Sequence, residues 1–357
     1  MTTQNIFDTA AALQLRATHD LLVGDLVSTL SNLAALAREH RDVPQAGRTH
    51  GQHALPITFG LKLAAWHVEL SREQAHIESR TADAFVASMG GAVGTFAAMN
   101  GNGRVVQDRV AALLGLGSNP IPMRSSGDGL AAYASALAPL AATIEKIAGE
   151  IVFLQRSEIS EVTERFEMGK IGSSTMAQKR NPAHAQNLVG LARMLRARVP
   201  LMIEAMVRSN DGDAAASNVA DVTLAEVAIL AVSLTTGLRR LMSGLSVDTA
   251  AMDRNLEVSG GLILTEAVMM ELAPLIGRNR AHDVLYDIAM RRAETGQSFA
   301  ILLAAHPVLK PHLDRLNLGR LLDPRGYLGE AAAMVDALAP AVELPKRSKR
   351  RAAADRA

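Results

Sequence analysis

The chain has 357 residues, with 37 Lys plus Arg against 36 Asp plus Glu and a formal net charge of +1. A balance so close to zero supplies no global field for nucleic acid or an acidic membrane surface, and neither is expected as a partner. There is no cysteine, which excludes disulfides and thiolate metal sites and is compatible with a cytoplasmic location. Hydrophobic residues make up 48% of the chain but aromatics only 3%, which favours aliphatic helix packing over aromatic-rich sheets. The segment Met1 to Asn5 has neither the basic start nor the apolar run of a signal peptide. The most apolar runs, residues 130–144 and 222–238, fall short of the ~20 apolar residues that span a bilayer, so they are expected to be buried bundle helices.

Residues 8–40 read as one helix, because Leu13, Leu15, Leu21, Leu22, Leu26, Leu30, Leu33 and Leu36 recur at mostly helical spacing and no proline occurs before Pro44. Residues 47–53 read as a loop, followed by a second helix from about Pro56 towards Met89. The glycines at 90, 91 and 94 break that helix, and tight backbone packing is their expected role. A short helix over 105–114 and a turn region with Pro120 and Pro122 come next. A long helix over 130–164 is expected to start apolar and end in Glu158, Glu161 and Glu164. Helices over 182–206 and 217–243 complete the set of long rods. Rods of ~35–50 Å with short connections point to an all-α fold, an elongated antiparallel helical bundle over residues 1–243. Beyond Gly244 the helices shorten, over 248–256, 262–276 and 280–294 and then smaller pieces to Tyr327. This reads as a smaller helical C-terminal domain over 244–342. Residues 343–357 form a basic tail, expected to be disordered and solvated.

Three polar stretches interrupt the apolar pattern: Thr2 to Asn5, Thr49 to His53, and Gly172 to Pro182. In the last, Lys179 and Asn181 can hold an anionic group by charge and by amide hydrogen bonding. A serine of the same loop could act as a base, although a capped helix-connecting turn explains the spacing equally well. His50, set between Thr49 and Gly51, reads as functional. His53 and His184 stay open between site and structure, His67 reads as structural, and His282, His306 and His312 as structural or surface. Together the stretches offer hydroxyls, amides, imidazoles and an ammonium. That set suits holding a di- or tricarboxylate and moving a proton beside a carboxylate. His50 and His53 lack a nearby third ligand, so no metal is expected. No phosphate-cradling loop or other cofactor motif is present.

Residues 172–182 resemble the pattern Gly-Ser-Ser-x-Met-Pro-x-Lys-x-Asn-Pro of the fumarase/aspartase superfamily. Gly47 to Pro56 and Thr2 to Thr9 resemble two further regions of that family. Residues 91–95, 154–159 and 322–329 are also similar, so the resemblance spans nearly the whole chain before the tail. It implies removal of a proton from the carbon beside a carboxylate, through a carbanion stabilised as an aci-carboxylate, and no cofactor. It further implies Ser173 as the base and Lys179 and Asn181 as carboxylate binders. Thr3, Gln4, Thr49 and Gln52 would contact substrate, and His50 would serve as general acid. A homotetramer with active sites drawn from three subunits would follow.

Within the family, Arg48 to His53 resemble adenylosuccinate lyases. The Ser-Ser-Thr-Met stretch and residues 255–267 are more similar to 3-carboxy-cis,cis-muconate cycloisomerases, and residues 208–212 lack the His-Glu-Arg run of the former. A cycloisomerase-like enzyme acting on a small polycarboxylate is therefore the leading expectation, and a fumarate-releasing C–N lyase the alternative. Four departures define a third expectation, a catalytically impaired helical scaffold. Ala177 replaces a family proline, and Gln186 replaces a glutamate that pairs with the loop histidine. Residues 126–129 lack the arginines expected on substrate. Finally, the family's N-terminal domain has no counterpart before Thr2.

Overall fold

The computed structural model describes residues 1–165, 175–176 and 178–338. Helix α1 (Thr3–Glu39) runs for 37 residues, about 55 Å of rod. Its buried positions Leu15, Leu22, Leu26, Leu30, Leu33 and Ala37 lie seven, four, four, three and four residues apart, which lays one apolar stripe along the rod. The helix begins five residues before the start expected at residue 8. Asn5 explains this: it is fully buried, and its Oδ1 accepts from the Thr2 N–H at 3.2 Å and the Gly91 N–H at 3.0 Å. Its Nδ2 donates to Ser88 Oγ at 3.0 Å. The first turn is thereby pinned to the glycine loop rather than frayed.

The chain then turns into an antiparallel hairpin of β1 (Pro44–Thr49) and β2 (Gln52–Thr58). Thr58 Oγ1 accepts from the Leu61 N–H at 3.0 Å and so caps α2 (Phe59–Glu78). Short elements follow: α3 (Thr81–Ala84), β3 (Val86–Ala87), α4 (Gly103–Leu114) and β4 (Gly117–Ser118), with β3 and β4 paired in parallel. The long helices α5 (Asp128–Leu154), α6 (Ala183–Glu204) and α7 (Ala214–Ser243) complete the bundle. Between α5 and α6 lies β5 (Val162–Thr163), which pairs antiparallel with β6 (Ser246–Val247) after α7. The remaining helices are α8 (Thr249–Leu256), α9 (Thr265–Ile276), α10 (Arg278–Thr295), α11 (Phe299–Ala305), α12 (Leu318–Leu321) and α13 (Ala331–Asp336).

One continuous core joins α1, α2, α5, α6 and α7 through fully buried residues such as Leu26, Leu63, Ile144, Leu195 and Leu234. Ion pairs flank it, including Arg239 to Asp25 at 2.6 Å and Arg193 to Glu145 at 2.8 Å. A second cluster holds α9, α10 and α11 together around Leu272, Leu285 and Phe299. A third, small cluster seats the hairpin: Ala46 packs with Leu256, Ile263 and Leu264, flanked by Leu322 and Tyr327. Helix α13 returns to the bundle, placing Val335 in the main core and Asp336 2.7 Å from Arg41. The all-α architecture expected from the sequence is therefore what forms.

Two local expectations change. Residues 47–53 are not a free loop but the end of β1, the turn and the start of β2, and α2 starts only at Phe59. Helix α5 stops at Leu154 instead of running to Glu164, because the Glu161 N–H bonds back to the Leu154 carbonyl at 2.9 Å across a turn with Ser160 at φ 53°. The glutamates expected to end that helix therefore lie outside it, and Glu161 is fully buried. Helices α1 and α7 are each long and apolar enough to cross a membrane. Each also buries a full stripe in the shared core.

Replacing Asn5 with Ala removes both acceptor contacts and the donor to Ser88. Urea unfolding is expected to show a loss of about 2 kcal/mol, with Asn5→Asp losing less. Burial is the main force holding the imidazoles of His19, His40, His53 and His67 below their ordinary value of 6.5. Unfolded histidines take up protons near pH 6.5 while these four resist in the fold. Their contribution is complete above about pH 6.5 and is lost as pH falls through that value towards the lowered native ones. Thermal unfolding is expected at progressively lower temperature from pH 7 to pH 5; a flat profile would contradict this burial.

Candidate active site

His50 and Gly51 are the two central residues of the hairpin turn, with φ of 52° and 76°. A two-residue turn of this hand needs positive φ at both positions, and Asn-Gly is the sequence it favours. Histidine in the left-handed region costs about 1 kcal/mol or more. The turn alone therefore does not account for His50. Thr49, His50, Gly51 and Gln52 are all exposed, so the hydroxyl, imidazole and amide sit together on a projecting tip.

Beneath the tip the hairpin is anchored by charge. Arg48 Nη2 and Nη1 donate to Glu161 Oε1 and Oε2 at 2.5 and 3.2 Å. Gln45 Nε2 donates to Oε2 at 2.6 Å and Asn255 Nδ2 to Oε1 at 2.7 Å. The Arg48 guanidinium also lies 5.6 Å from the centre of the Phe153 ring in the last turn of α5. His53 is half-buried beside this pair; burial, then Arg48, pushes its imidazole down and Glu161 opposes.

The loop carrying the serines begins and ends at the same end of the bundle. Ser173 itself, like Ser174 and Ala177, lies outside the described residues. At its exit the Arg180 carbonyl accepts from Gln155 Nε2 at 3.2 Å, and Gln155 Oε1 accepts from the Glu164 N–H at 2.9 Å on the entry side. Glu164 then uses both carboxylate oxygens on the first turn of α6, taking the His184 and Ala185 N–H groups at 3.0 and 3.1 Å. Lys179 and Asn181 are exposed between these anchors. His184 turns away: its Nε2 donates to the Gly237 carbonyl at 2.9 Å, which settles it as an α6–α7 packing contact. Gln186 is exposed on α6.

Thr3 and Gln4 lie at the far end of α1, about 55 Å of helix from the hairpin. There Gln4 Nε2 donates to Asp8 Oδ1 at 2.8 Å. Asp8 lines a cavity of about 100 Å³ with Ser88, Asn119, Arg124, Ser126 and Arg208. Burial raises the Asp8 carboxyl above its ordinary value, against the opposing Gln4 hydrogen bond and the charges of Arg208 and Arg124. Residues 126–129 lack arginines of their own, but the fold sets two beside them. Arg208 donates to the Arg124 carbonyl at 2.6 Å, and Arg124 to the Ala92 carbonyl at 3.3 Å.

Within one chain, then, the hairpin and the ends of the serine loop share one end of the bundle, and Thr3 and Gln4 stand at the other. Sequence reading missed Glu161, Gln45, Asn255, Gln155 and Glu164, the residues that hold the first two motifs. The one available signal was the run of glutamates at 158, 161 and 164, and acidic runs at a helix end usually face solvent. Among the described residues, no three His, Asp or Glu side chains are placed to hold one metal ion.

A family model described as lyase matches residues 1–197, and one described as adenylosuccinate lyase C-terminus matches residues 261–338. N-acetyl-S-(2-succino)cysteine lyase of Dickeya dadantii is 36% identical over 336 residues, covering 94% of this chain and 74% of that protein. Adenylosuccinate lyase of Archaeoglobus fulgidus is 37% identical, covering 94% of this chain and 76% of that one. The crystal structure of the 3-carboxy-cis,cis-muconate lactonizing enzyme of Pseudomonas putida superposes with a TM-score of 0.87 at 32% identity, covering 94% and 74% of the two chains. The serine-loop exit, the histidine hairpin and the long bundle thus occur in a chain that belongs to the fumarase/aspartase superfamily and is an enzyme of its lyase and cycloisomerase branch.

Proposed function

We propose that the enzyme removes a proton from the carbon beside a carboxylate of a small polycarboxylate or, in the lactonising direction, returns one to it as a carboxylate oxygen adds to the neighbouring carbon, with a cycloisomerisation of the 3-carboxymuconate type as the leading reaction. The observation that carries this is the exposed hairpin tip, where an imidazole is held at a backbone angle that the turn requires and a histidine disfavours. A carbon acid of this kind yields its proton only when the adjacent carboxylate can accept the electron pair. The Lys179 cation and the Asn181 amide supply that stabilisation. Ser173 takes the proton, and His50 acts as general acid or base at the neighbouring reacting group. Thr49 and Gln52 on the hairpin, with Thr3 and Gln4, orient the carboxylates.

Because Thr3 and Gln4 are separated from the hairpin by the length of α1, a complete site needs more than one chain. A homotetramer is the assembly proposed. Its contact face is the groove of about 490 Å³ between α1 and α7, lined by Phe7, Ala11, Leu15, Leu224, Ala228 and Ile229. Phe7 and Ile229 are 57% and 66% exposed in the single chain, and apolar side chains on that scale are a natural inter-subunit seam. Covering them with further copies also accounts for the apolar faces of α1 and α7 without lipid, in keeping with a cytoplasmic enzyme.

A second reading has the same proton step followed by release of fumarate from a succinyl group carried on nitrogen or sulfur. It is favoured by the relatives named for succinocysteine and adenylosuccinate and by the Arg124–Arg208 pair, which suits a more anionic substrate. Turnover of 3-carboxymuconate against a panel of N- and S-succinyl adducts separates the two. Silence on every substrate would sink both.

Ser173→Ala is expected to abolish turnover while leaving the oligomer intact in sedimentation; full activity would refute the assigned base. His50→Asn keeps a residue that the turn favours and removes only the imidazole. Its kcat is expected to fall about 100- to 10,000-fold with an unchanged thermal midpoint. Lys179→Met and Gln4→Leu are each expected to be inactive alone. Refolded as a mixture, they should recover activity if sites combine opposite ends of different chains. No recovery would argue for a site built within one chain.

A further inference from the structure

We propose that Glu161 is a positioning residue for catalysis. Its carboxylate fixes the hairpin tip against the bundle end and ties it to α8, so that the placement of His50 depends on a side chain that never meets substrate. The proposal rests on the functional reading of the hairpin given above and extends it to a residue outside the three motifs.

An ionised carboxylate has about four acceptor positions. In Glu161 all four are taken, two by the Arg48 guanidinium, one by Gln45 and one by Asn255. The donors come from two elements, β1 and α8, which do not adjoin in sequence. The backbone of Glu161 is fixed as well: its carbonyl accepts from the Asp248 N–H at 2.9 Å and its N–H bonds to the Leu154 carbonyl at 2.9 Å. Asn255 makes a further bond to the Ile159 carbonyl at 2.8 Å, so the clamp is closed from both sides.

Stability alone is a poor reason for this arrangement. The Glu161 side chain is 0% exposed and that of Arg48 9% exposed. Desolvating such ions costs several kcal/mol each, and a well-packed apolar pair commonly does as well or better. An apolar alternative is adjacent, since Ala46, Leu256, Ile263 and Leu264 already pack the neighbouring face of the hairpin. What the ionic clamp adds is direction. The bidentate guanidinium fork fixes Arg48 in orientation as well as distance. Arg48 lies two residues from His50 in a strand closed by a two-residue turn, so its setting is passed to the tip with little slack.

The hairpin backbone is shaped to serve the clamp. Its register shifts between Ala46 and Arg48, where Gly47 faces two residues of β2. Such a bulge sharpens the local twist. It lies between Gln45 and Arg48, which are three apart in one strand and yet reach the same carboxylate. A Cβ on residue 47 would stand 2.6 Å from the Leu55 carbonyl oxygen, so this close approach requires glycine.

The test uses the full chain with Glu161→Gln and Arg48→Lys, assayed with whichever substrate the panel identifies. Glu161→Gln removes the counter-charge and turns an amide donor towards other donors; Arg48→Lys keeps the charge and loses the fork. Both are expected to lower kcat about 10- to 100-fold, the penalty of a reacting group misplaced by about 1 Å. KM should rise by a smaller factor than kcat falls, since Thr49 and Gln52 move with the hairpin but Lys179 and Asn181 are untouched. Hydrogen exchange should quicken by about tenfold in residues 45–57, with the α5 core unchanged. Wild-type kcat and exchange in Arg48→Lys would overturn the proposal. So would a loss that appears only as lower thermal stability with uniformly faster exchange. Should Glu161→Gln fail to fold, Arg48→Lys decides alone. Should the wild-type chain turn over no substrate in the panel, the proposed function fails. Exchange then still decides the clamp, supported by loosening confined to the hairpin and overturned by its absence.

Discussion

Every α-helix leaves four N–H groups and four carbonyls without partners at its ends, and a bundle of long helices gathers those ends into two layers. That constraint organises this protein. Its core is aliphatic and is flanked by inter-helix ion pairs such as Arg239 to Asp25, and the remaining polar chemistry concentrates where the rods stop. The side chains that satisfy these ends also build the candidate site. Asn5 serves the start of α1 and pins it to the glycine loop, and Thr58 caps the helix that leaves the hairpin. Glu164 fills the start of α6 while its own N–H is held by Gln155, which also holds the far side of the serine loop. Capping and site-building are one set of contacts, so the ends cannot be changed for stability without changing the site.

The bundle was legible because its signal is periodic and long. Leucines at seven, four, four and three along α1 can face one way only if the segment is helical, and no tertiary effect competes over that length. The hairpin was not legible as strands. Pro44 to Thr58 carries no clean alternation, since Pro44, Gln45, Ala46 and Gly47 are all buried and the strand is packed on both faces. A strand buried on both sides loses the period of two that marks a half-exposed one. His-Gly also conceals the turn, because the residue that would announce it is asparagine.

The site was legible as motifs and opaque as supports. Lys179, Asn181, His50 and Gln52 stand in short polar runs that folding does not require, and such runs are visible in one dimension. Glu161 and Glu164 stand in a run of acidic residues that looks like a solvated helix face. The error had a physical source: α5 was extended past Leu154, and a helix surface is where such glutamates usually go. Only the turn with Ser160 at positive φ sends one of them inward and the other to the next helix. Arg208 beside residues 126–129 was hidden for a different reason, since it arrives there from another part of the chain.

These two kinds of residue bear different costs. Over most of the bundle, local preference and global packing agree, as minimally frustrated sequences require. Between Gln45 and Gln52 they do not. Within eight residues of one hairpin a histidine occupies a left-handed position, a glycine is imposed by a close carbonyl, and an arginine is taken out of water against Glu161. Each departure alone has a local remedy: asparagine in the turn, a straight ladder without the bulge, an apolar pair beneath. That none is adopted, while the neighbouring strand face packs as ordinary hydrophobic core, is what supports the proposed function of this hairpin rather than a role in the bundle that carries it.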